Sequence, residues 1–110
     1  MTIYNKLVRD KIPEIIQAGN ESCETRVLEQ AEFIAELKKK SQEELQEYLN
    51  SPDDQEALLE LADLMEIIYA LAETHGATRD ELEAIRLKKA KARGGFKEKI
   101  FLIEVEEAEG

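Results

Sequence analysis

Two pairs of carboxylates on either side of a turn signal constrain the fold of this chain more than any other feature. Glu44 and Glu47 form the first pair, Glu60 and Asp63 form the second, and the partners in each pair are three residues apart. Residues three apart lie on one face of an α-helix, so each pair directs two carboxylates into the same volume. The Asn-Ser-Pro stretch at 50–52 is typical of a turn. The sequence therefore predicts a helical hairpin that can bring the four acids together.

The first helix of this hairpin, predicted from about Glu29 to Leu49, carries Glu44 within its apolar face. At about 100° per residue, Glu44 projects among the apolar side chains of the helix, which are Phe33, Leu37 and Tyr48. Lys40 and Glu47 fall at the edge of that face, and Glu43 falls a little outside it. We therefore expect Glu44 to be buried.

The sequence of the second helix predicts that its acids face the interior of the hairpin and need a cation there. Apart from Glu60, Asp63 and Glu66, every residue from 57 to 71 is apolar, and a helix that is apolar nearly all round is expected to be buried. The acids of its middle form a stripe about 60° wide that begins at Glu56. Carboxylates that face an interior need a compensating cation, because an unpaired buried charge costs several kcal/mol. Oxygen ligands suit Mg²⁺ or Mn²⁺.

Length and composition limit the class of protein. A chain of 110 residues is expected to form a single domain, 1–110, that gains from oligomerisation. The high charged fraction and the lack of Trp favour an all-α protein with an aliphatic core. A net charge of -10 argues against a nucleic-acid binder. The single Cys23 and the lack of a long apolar run predict a cytoplasmic protein that contacts no membrane.

The N-terminal stretch concentrates positive charge around a short predicted helix. Arg9 and Lys11 stand beside Asp10, which is expected to cap a helix that contains Pro13 and ends at Gly19. Two interpretations remain open. The helix is either a docking element with solvated charges or a phosphate-binding arrangement of cations near a helix start.

The remaining elements follow from their end signals. Ser51 is expected to cap a helix that runs to about His75 and stops at Gly76, and Thr78 with Glu81 predicts a capping box for a further helix to about Ala92. The lone histidine argues against a di-iron bundle, which requires Glu-x-x-His pairs. A short strand is predicted from Ile100 to Val105, paired with residues 25–28.

These motifs together resemble a known family. The E-x-x-E, spacer, E-x-x-D pattern of Glu44, Glu47, Glu60 and Asp63 resembles the signature of the MazG-like all-alpha nucleoside triphosphate pyrophosphohydrolases. The opening KLVRDKIPEII and the closing RGGFKEKI are similar to one branch of that superfamily, the phosphoribosyl-ATP pyrophosphohydrolase-like or house-cleaning proteins. The resemblance covers nearly the whole chain and implies an all-α helical bundle.

The resemblance also implies an activity and assigns roles to residues. It implies Mg²⁺-dependent hydrolysis, with Mn²⁺ as an alternative, of a nucleoside triphosphate between the α and β phosphates. Glu44, Glu47, Glu60 and Asp63 would then be the metal ligands, and Glu43 or Glu66 would orient or deprotonate the attacking water. The candidate phosphate-binding residues are Lys40, Arg9, Lys11, Arg93 and Lys97. It implies a homo-oligomer, either a dimer or a tetramer.

Two alternatives stay open at the level of sequence. The substrate is either phosphoribosyl-ATP or a noncanonical nucleotide, because the acid motif reports metal and triphosphate handling and does not report the base or sugar. The rival class is a non-enzymatic helical interaction module, in which the acids are solvated and the basic ends bind an acidic partner. Metal-dependent thermal stabilisation separates the two classes.

Overall fold

Residues 2–108 of the chain fold into four helices. The computed structural model describes residues 2–108, and over that range it contains no strand. The helices are α1 (Ile12–Ala18), α2 (Gln30–Leu49), α3 (Asp54–Thr74) and α4 (Arg79–Arg93). The predicted all-α class is therefore confirmed, and the bounds of α2, α3 and α4 agree with the sequence patterns to within a few residues.

The α2–α3 hairpin is the body of the molecule, and its turn is fixed by two polar side chains. The Ser51 hydroxyl donates to the carbonyl oxygen of Glu47 at 2.9 Å, so it closes the end of α2. The carboxylate of Asp53 accepts from the backbone N–H of Glu56 at 2.8 Å and caps α3. The prediction that Ser51 caps this helix was wrong, because the Ser51 hydroxyl is already used by the preceding helix.

The other helix ends match their signals with one exception. Thr78 and Glu81 form the predicted capping box at the start of α4, and α3 ends at Thr74, within one residue of its predicted end at about His75. Helix α1 ends at Gly19, but its first flanking residue is Lys11, and no side chain caps it. Asp10 is therefore not the cap that the sequence predicted. Past α4, Gly94 adopts φ 81°, which turns the chain away from the helix axis.

The predicted strand from Ile100 to Val105 does not form. Residues 100–105 and 25–28 form no strand. Apart from the half-buried Leu28, their side chains lie open to solvent, with Phe101 87% and Val27 96% exposed. The two segments have a β-like composition but no apolar surface beneath them. An isolated pair of strands is marginal at best in water, so composition alone does not produce one here.

Helix α3 is much less buried than its composition predicts. Ile67 and Ala72 are its buried apolar residues, whereas Leu58, Met65 and Ile68 stay 67%, 51% and 42% exposed. Helix α2 covers only one side of α3. Helix α4 contacts α3 beside the connecting turn, where the guanidinium carbon of Arg79 lies 4.1 Å from the centre of the Tyr69 ring. The prediction of a fully buried helix was therefore wrong for the single chain. No helix within the described residues has the length and apolar character needed to cross a membrane.

Candidate metal centre

Three of the four signature acids meet between α2 and α3. Glu44, Glu47 and Glu60 each offer a carboxylate oxygen, and these oxygens all lie within 4.8 Å of one another. The i, i+3 spacing in α2 places Glu44 and Glu47 on the face that packs against α3, and Glu60 reaches them from the facing turn. The hairpin thus produces the convergence of carboxylates that the sequence pattern predicts.

The cluster contains buried oxygens without hydrogen-bond partners. Glu44 is only 9% exposed, as its position in the apolar face predicts. One oxygen of Glu44 and one of Glu60, both named Oε2, are inaccessible to water and accept no hydrogen bond. Buried carboxylate oxygens are normally paired, because desolvation without a partner is costly. A cation between these oxygens would supply the missing partner.

Mutual proximity alters the acidity of the cluster. The neighbouring Glu44 carboxyl group raises the pKa of Glu60 to about 7, and burial and the Glu47 carboxylate add to this effect. The pKa of Glu44 is also raised, first by burial and then by the charges of Glu47 and Asp63, while Glu60 and Lys40 oppose the rise. In the absence of a cation, these neighbouring carboxylates therefore favour holding a proton.

Two cations lie beside the cluster. The Lys40 ammonium is 4.0 Å from Glu44 and only 22% exposed, so it reaches along α2 to the buried acid. Arg9 donates to an Asp63 carboxylate oxygen at 2.6 Å and thereby ties the N-terminal segment to α3. Asp63, the fourth signature acid, is close enough to influence Glu44 electrostatically, but it lies outside the cluster of three and is paired with Arg9.

An open groove of about 510 Å³ adjoins the acids. Glu47 and Glu60 contribute to its wall, and Glu43 stands beside them. Its other lining residues are Gln46, Asn50, Ser51, Pro52 and Glu56. A groove of this size is within the usual range for small-molecule sites.

The remaining candidate residues lie apart from the cluster. Glu66 faces α4 and approaches Arg79 at 3.8 Å, so of the two candidate bases only Glu43 lines the groove. Lys11 is exposed at the start of α1. Arg93 and Lys97 are exposed at the end of α4 and beyond it, and within residues 2–108 neither makes an ion pair.

Sequence reasoning missed two features of this site. The groove-lining amides Gln46 and Asn50 follow Glu43 at i+3 and i+7, which is the spacing of one helix face and could have identified them. The contact between Arg9 and Asp63 joins residues 54 positions apart. No local pattern could have predicted that pairing.

Residues 2–108 form an all-helical fold, and three of its carboxylates, those of Glu44, Glu47 and Glu60, converge closely enough that they could hold a metal ion. No protein-family model matches the chain, and neither the curated proteins nor the solved structures include a match to it.

Proposed function

We propose that this protein is a Mg²⁺-dependent nucleoside triphosphate pyrophosphohydrolase of the MazG-like all-alpha type. The observation that carries the proposal is the convergence of Glu44, Glu47 and Glu60, which includes two buried oxygens that have no partner. The flanking motifs of the sequence support it. The proposal places the protein in the cytoplasm, where nucleotide substrates occur.

The donor set fits a hard divalent cation. All three convergent groups are carboxylates, and oxygen ligands are those that Mg²⁺ and Mn²⁺ prefer. Glu44, Glu47 and Glu60 would hold the ion, and Asp63 would join them if its pairing with Arg9 opened. A cation bound there would offset negative charge on the phosphate oxygens of a substrate.

The side chains around the cluster have roles in this proposal. Glu43 lines the groove and accepts a proton from the water that attacks the α-phosphorus. The bond between that phosphorus and the bridging oxygen breaks, and the products are a nucleoside monophosphate and pyrophosphate. In this proposal Lys40 and Arg9, which pair with Glu44 and Asp63, bind phosphate oxygens of the substrate. Lys11 is a further candidate on the N-terminal segment that carries Arg9.

The substrate class is a nucleoside triphosphate whose base and sugar are still to be assigned. The groove is walled largely by acids and amides, with Gln46 and Asn50 as the neutral hydrogen-bonding groups. Amides of this kind can read the edge of a base. We favour a noncanonical nucleotide, which agrees with a house-cleaning role, and phosphoribosyl-ATP is the alternative.

The experiment that tests the proposal is pyrophosphate release from a panel of canonical, modified and phosphoribosylated nucleotides. It is run with Mg²⁺, with Mn²⁺ and with chelator. We expect release that requires the metal and is lost in Glu60→Gln. Glu73→Gln is the matched control, since it makes the same substitution on an exposed position of the same helix, outside the acid cluster.

No release from folded protein across the whole panel would contradict the proposal. It would favour the alternative, a non-enzymatic oligomeric helical interaction module. The large apolar side chains exposed on α3 are the observation that supports such a module.

A further inference from the structure

The single chain leaves far more surface exposed than a stable monomer of its size. It exposes 10485 Å², whereas a compact monomer of 12.6 kDa exposes about 6,200 Å². Its radius of gyration is 19.3 Å, against about 13 Å for a compact domain of this length. The excess, about 4,000 Å², exceeds the roughly 1,000–2,500 Å² that each partner contributes to an obligate homodimer. A second copy of the chain can therefore cover up to about 2,500 Å² of this excess.

Part of the uncovered surface lies in the C-terminal arm, which we define as residues 86–105. Its large apolar side chains project into solvent, with Phe96 98%, Ile100 84% and Ile103 87% exposed. The positive φ of Gly94 redirects the chain at the end of α4. The longest dimension of the molecule is 68 Å, which is about twice the length of a helix of 21 residues. The arm therefore projects from the body instead of packing on it.

The charge of the arm is complementary to that of the α2–α3 hairpin. Residues 86–99 contain seven Lys or Arg and one Glu, whereas residues 29–75 contain thirteen Asp or Glu and three Lys. An apolar segment with a basic stretch fits a surface that is apolar and acidic, and such complementarity guides association. The hairpin is that surface, because α3 exposes Leu58, Met65 and Ile68 and the groove beside it is walled by acids.

We infer that two copies exchange arms, so that the arm of each copy lies on the hairpin of the other and carries Arg93 and Lys97 to its groove. Within its own chain, neither residue makes an ion pair among the described residues. In the exchanged pair they would face the triphosphate beside Glu47 and Glu60. The assignment of these cations to phosphate rests on the proposed function, whereas the exchange itself rests on surface and charge.

Subunit complementation tests the shared site. One variant, Glu60→Gln, loses the acid cluster and keeps the arm; the other, Arg93→Ala with Lys97→Ala, keeps the acids and loses the arm cations. Each alone is expected to lose pyrophosphate release. After the two are unfolded together and refolded, the mixture should regain about a quarter of wild-type activity, because half of the dimers are mixed and each has one intact site.

Lys88→Ala is the control for the arm variant. It removes one positive charge from the same arm, but its position is about 140° round the helix from Arg93. We expect this variant to retain wild-type activity on its own, without being mixed with a second variant. An active arm variant, or an inactive mixture of two folded variants, would overturn the shared site.

A second measurement is independent of activity, so that failure of the proposed function and failure of the exchange can be told apart. Equal amounts of unlabelled and ¹⁵N-labelled wild-type protein are refolded together and treated with a carbodiimide, which joins a lysine to a carboxylate in direct contact. We expect dimers by sedimentation and mixed-isotope links from Lys97 to Glu47 or Glu56. A monomer, or links found only within one chain, would overturn the exchange even if the protein hydrolyses nucleotides.

Discussion

Glu60 is the residue whose surroundings most alter its chemistry. Its carboxyl group meets those of Glu44 and Glu47 across the hairpin, and its pKa is raised to about 7. Like charges in close contact disfavour joint ionisation, so the cation-free cluster retains a proton near neutral pH. A divalent cation, if bound there as proposed, would reverse that preference because it binds the ionised groups.

Replacing Glu60 with Gln should separate stability from metal binding. Glu60→Gln removes the repulsion while keeping the shape, so we expect the Tm of metal-free protein to rise by a few degrees at pH 7.5. The same variant should lose the stabilisation that Mg²⁺ gives the wild type. Differential scanning calorimetry with chelator and with Mg²⁺ measures both. An unchanged Mg²⁺ response would exclude Glu60 from the ligand set, and Glu73→Gln should behave as wild type.

The raised pKa predicts the pH dependence of the metal-free protein. The folded-state pKa of Glu60, about 7, lies above the ordinary glutamate value of 4.5, so the folded state binds this proton more tightly. Its contribution favours folding below pH 4.5 and is lost as the pH rises through 7. Between pH 5.5 and 8 we therefore expect the Tm to fall in wild type and to fall less in Glu60→Gln. Identical slopes in urea or thermal titrations of the two proteins would contradict this assignment.

The helix caps show what sequence predicts well and where it fails. The capping box of Thr78 and Glu81 depends only on residues three apart, and it forms as predicted. At the hairpin turn, the predicted cap Ser51 lies two residues before Asp53, the residue that caps α3. Ser51 is engaged by the carbonyl of Glu47, which leaves Asp53 to cap α3. Local sequence patterns predict that a helix forms, but they do not predict which of several nearby polar side chains caps its end.

The Asp53 cap should matter more than the Ser51 hydroxyl. Asp53→Ala leaves the backbone N–H of Glu56 without its acceptor and should lower the unfolding free energy by about 1 kcal/mol. Ser51→Ala removes an exposed hydroxyl that donates to a carbonyl still open to water, so a smaller loss is expected. Urea denaturation of both variants measures the difference, and an equal or reversed order would show that the turn is held in another way.

The acids of the candidate site can be predicted from the sequence because each helix carries its own acids at a spacing that places them on one face. The spacing of Glu44 and Glu47, and the single acidic stripe on α3, require only that two helices form and meet. The contact between Arg9 and Asp63 depends on the path of the N-terminal segment, which no periodicity encodes. The strand from Ile100 to Val105 failed for a related reason, because a strand needs a partner that the sequence of one segment does not specify.

For the whole molecule, Mg²⁺ should act as a stabilising ligand. A cation that binds the folded state alone stabilises it by about 2.7 kcal/mol at 100 times its Kd. We expect the Tm to rise with Mg²⁺ or Mn²⁺ and to respond much less to the same concentration of Na⁺ as the chloride. Thermal melts at constant ionic strength measure this, and a rise that follows ionic strength alone would indicate general charge screening instead of a site.

The burial of α3 is the property of the whole molecule that the sequence pattern predicted wrongly. The nearly continuous apolar surface of α3 predicts burial, yet its own chain covers only one side of it. The apolar composition of a helix indicates that its surface is buried against other residues. It does not indicate whether those residues belong to the same chain or to a second copy. That distinction separates the fold of one copy, which the patterns predict, from the assembly, which they do not.

The uncovered segment from Ile100 to Val105 has a consequence for the life of the protein in a cell. Five of its six side chains are large and apolar and all five lie open to solvent, and such stretches are what chaperones and proteases bind in newly made chains. A copy that has not met another would be removed, while an assembled copy would persist. Expression below the level needed for assembly should then yield almost no protein. Protein abundance would therefore rise more steeply than in proportion to gene dosage.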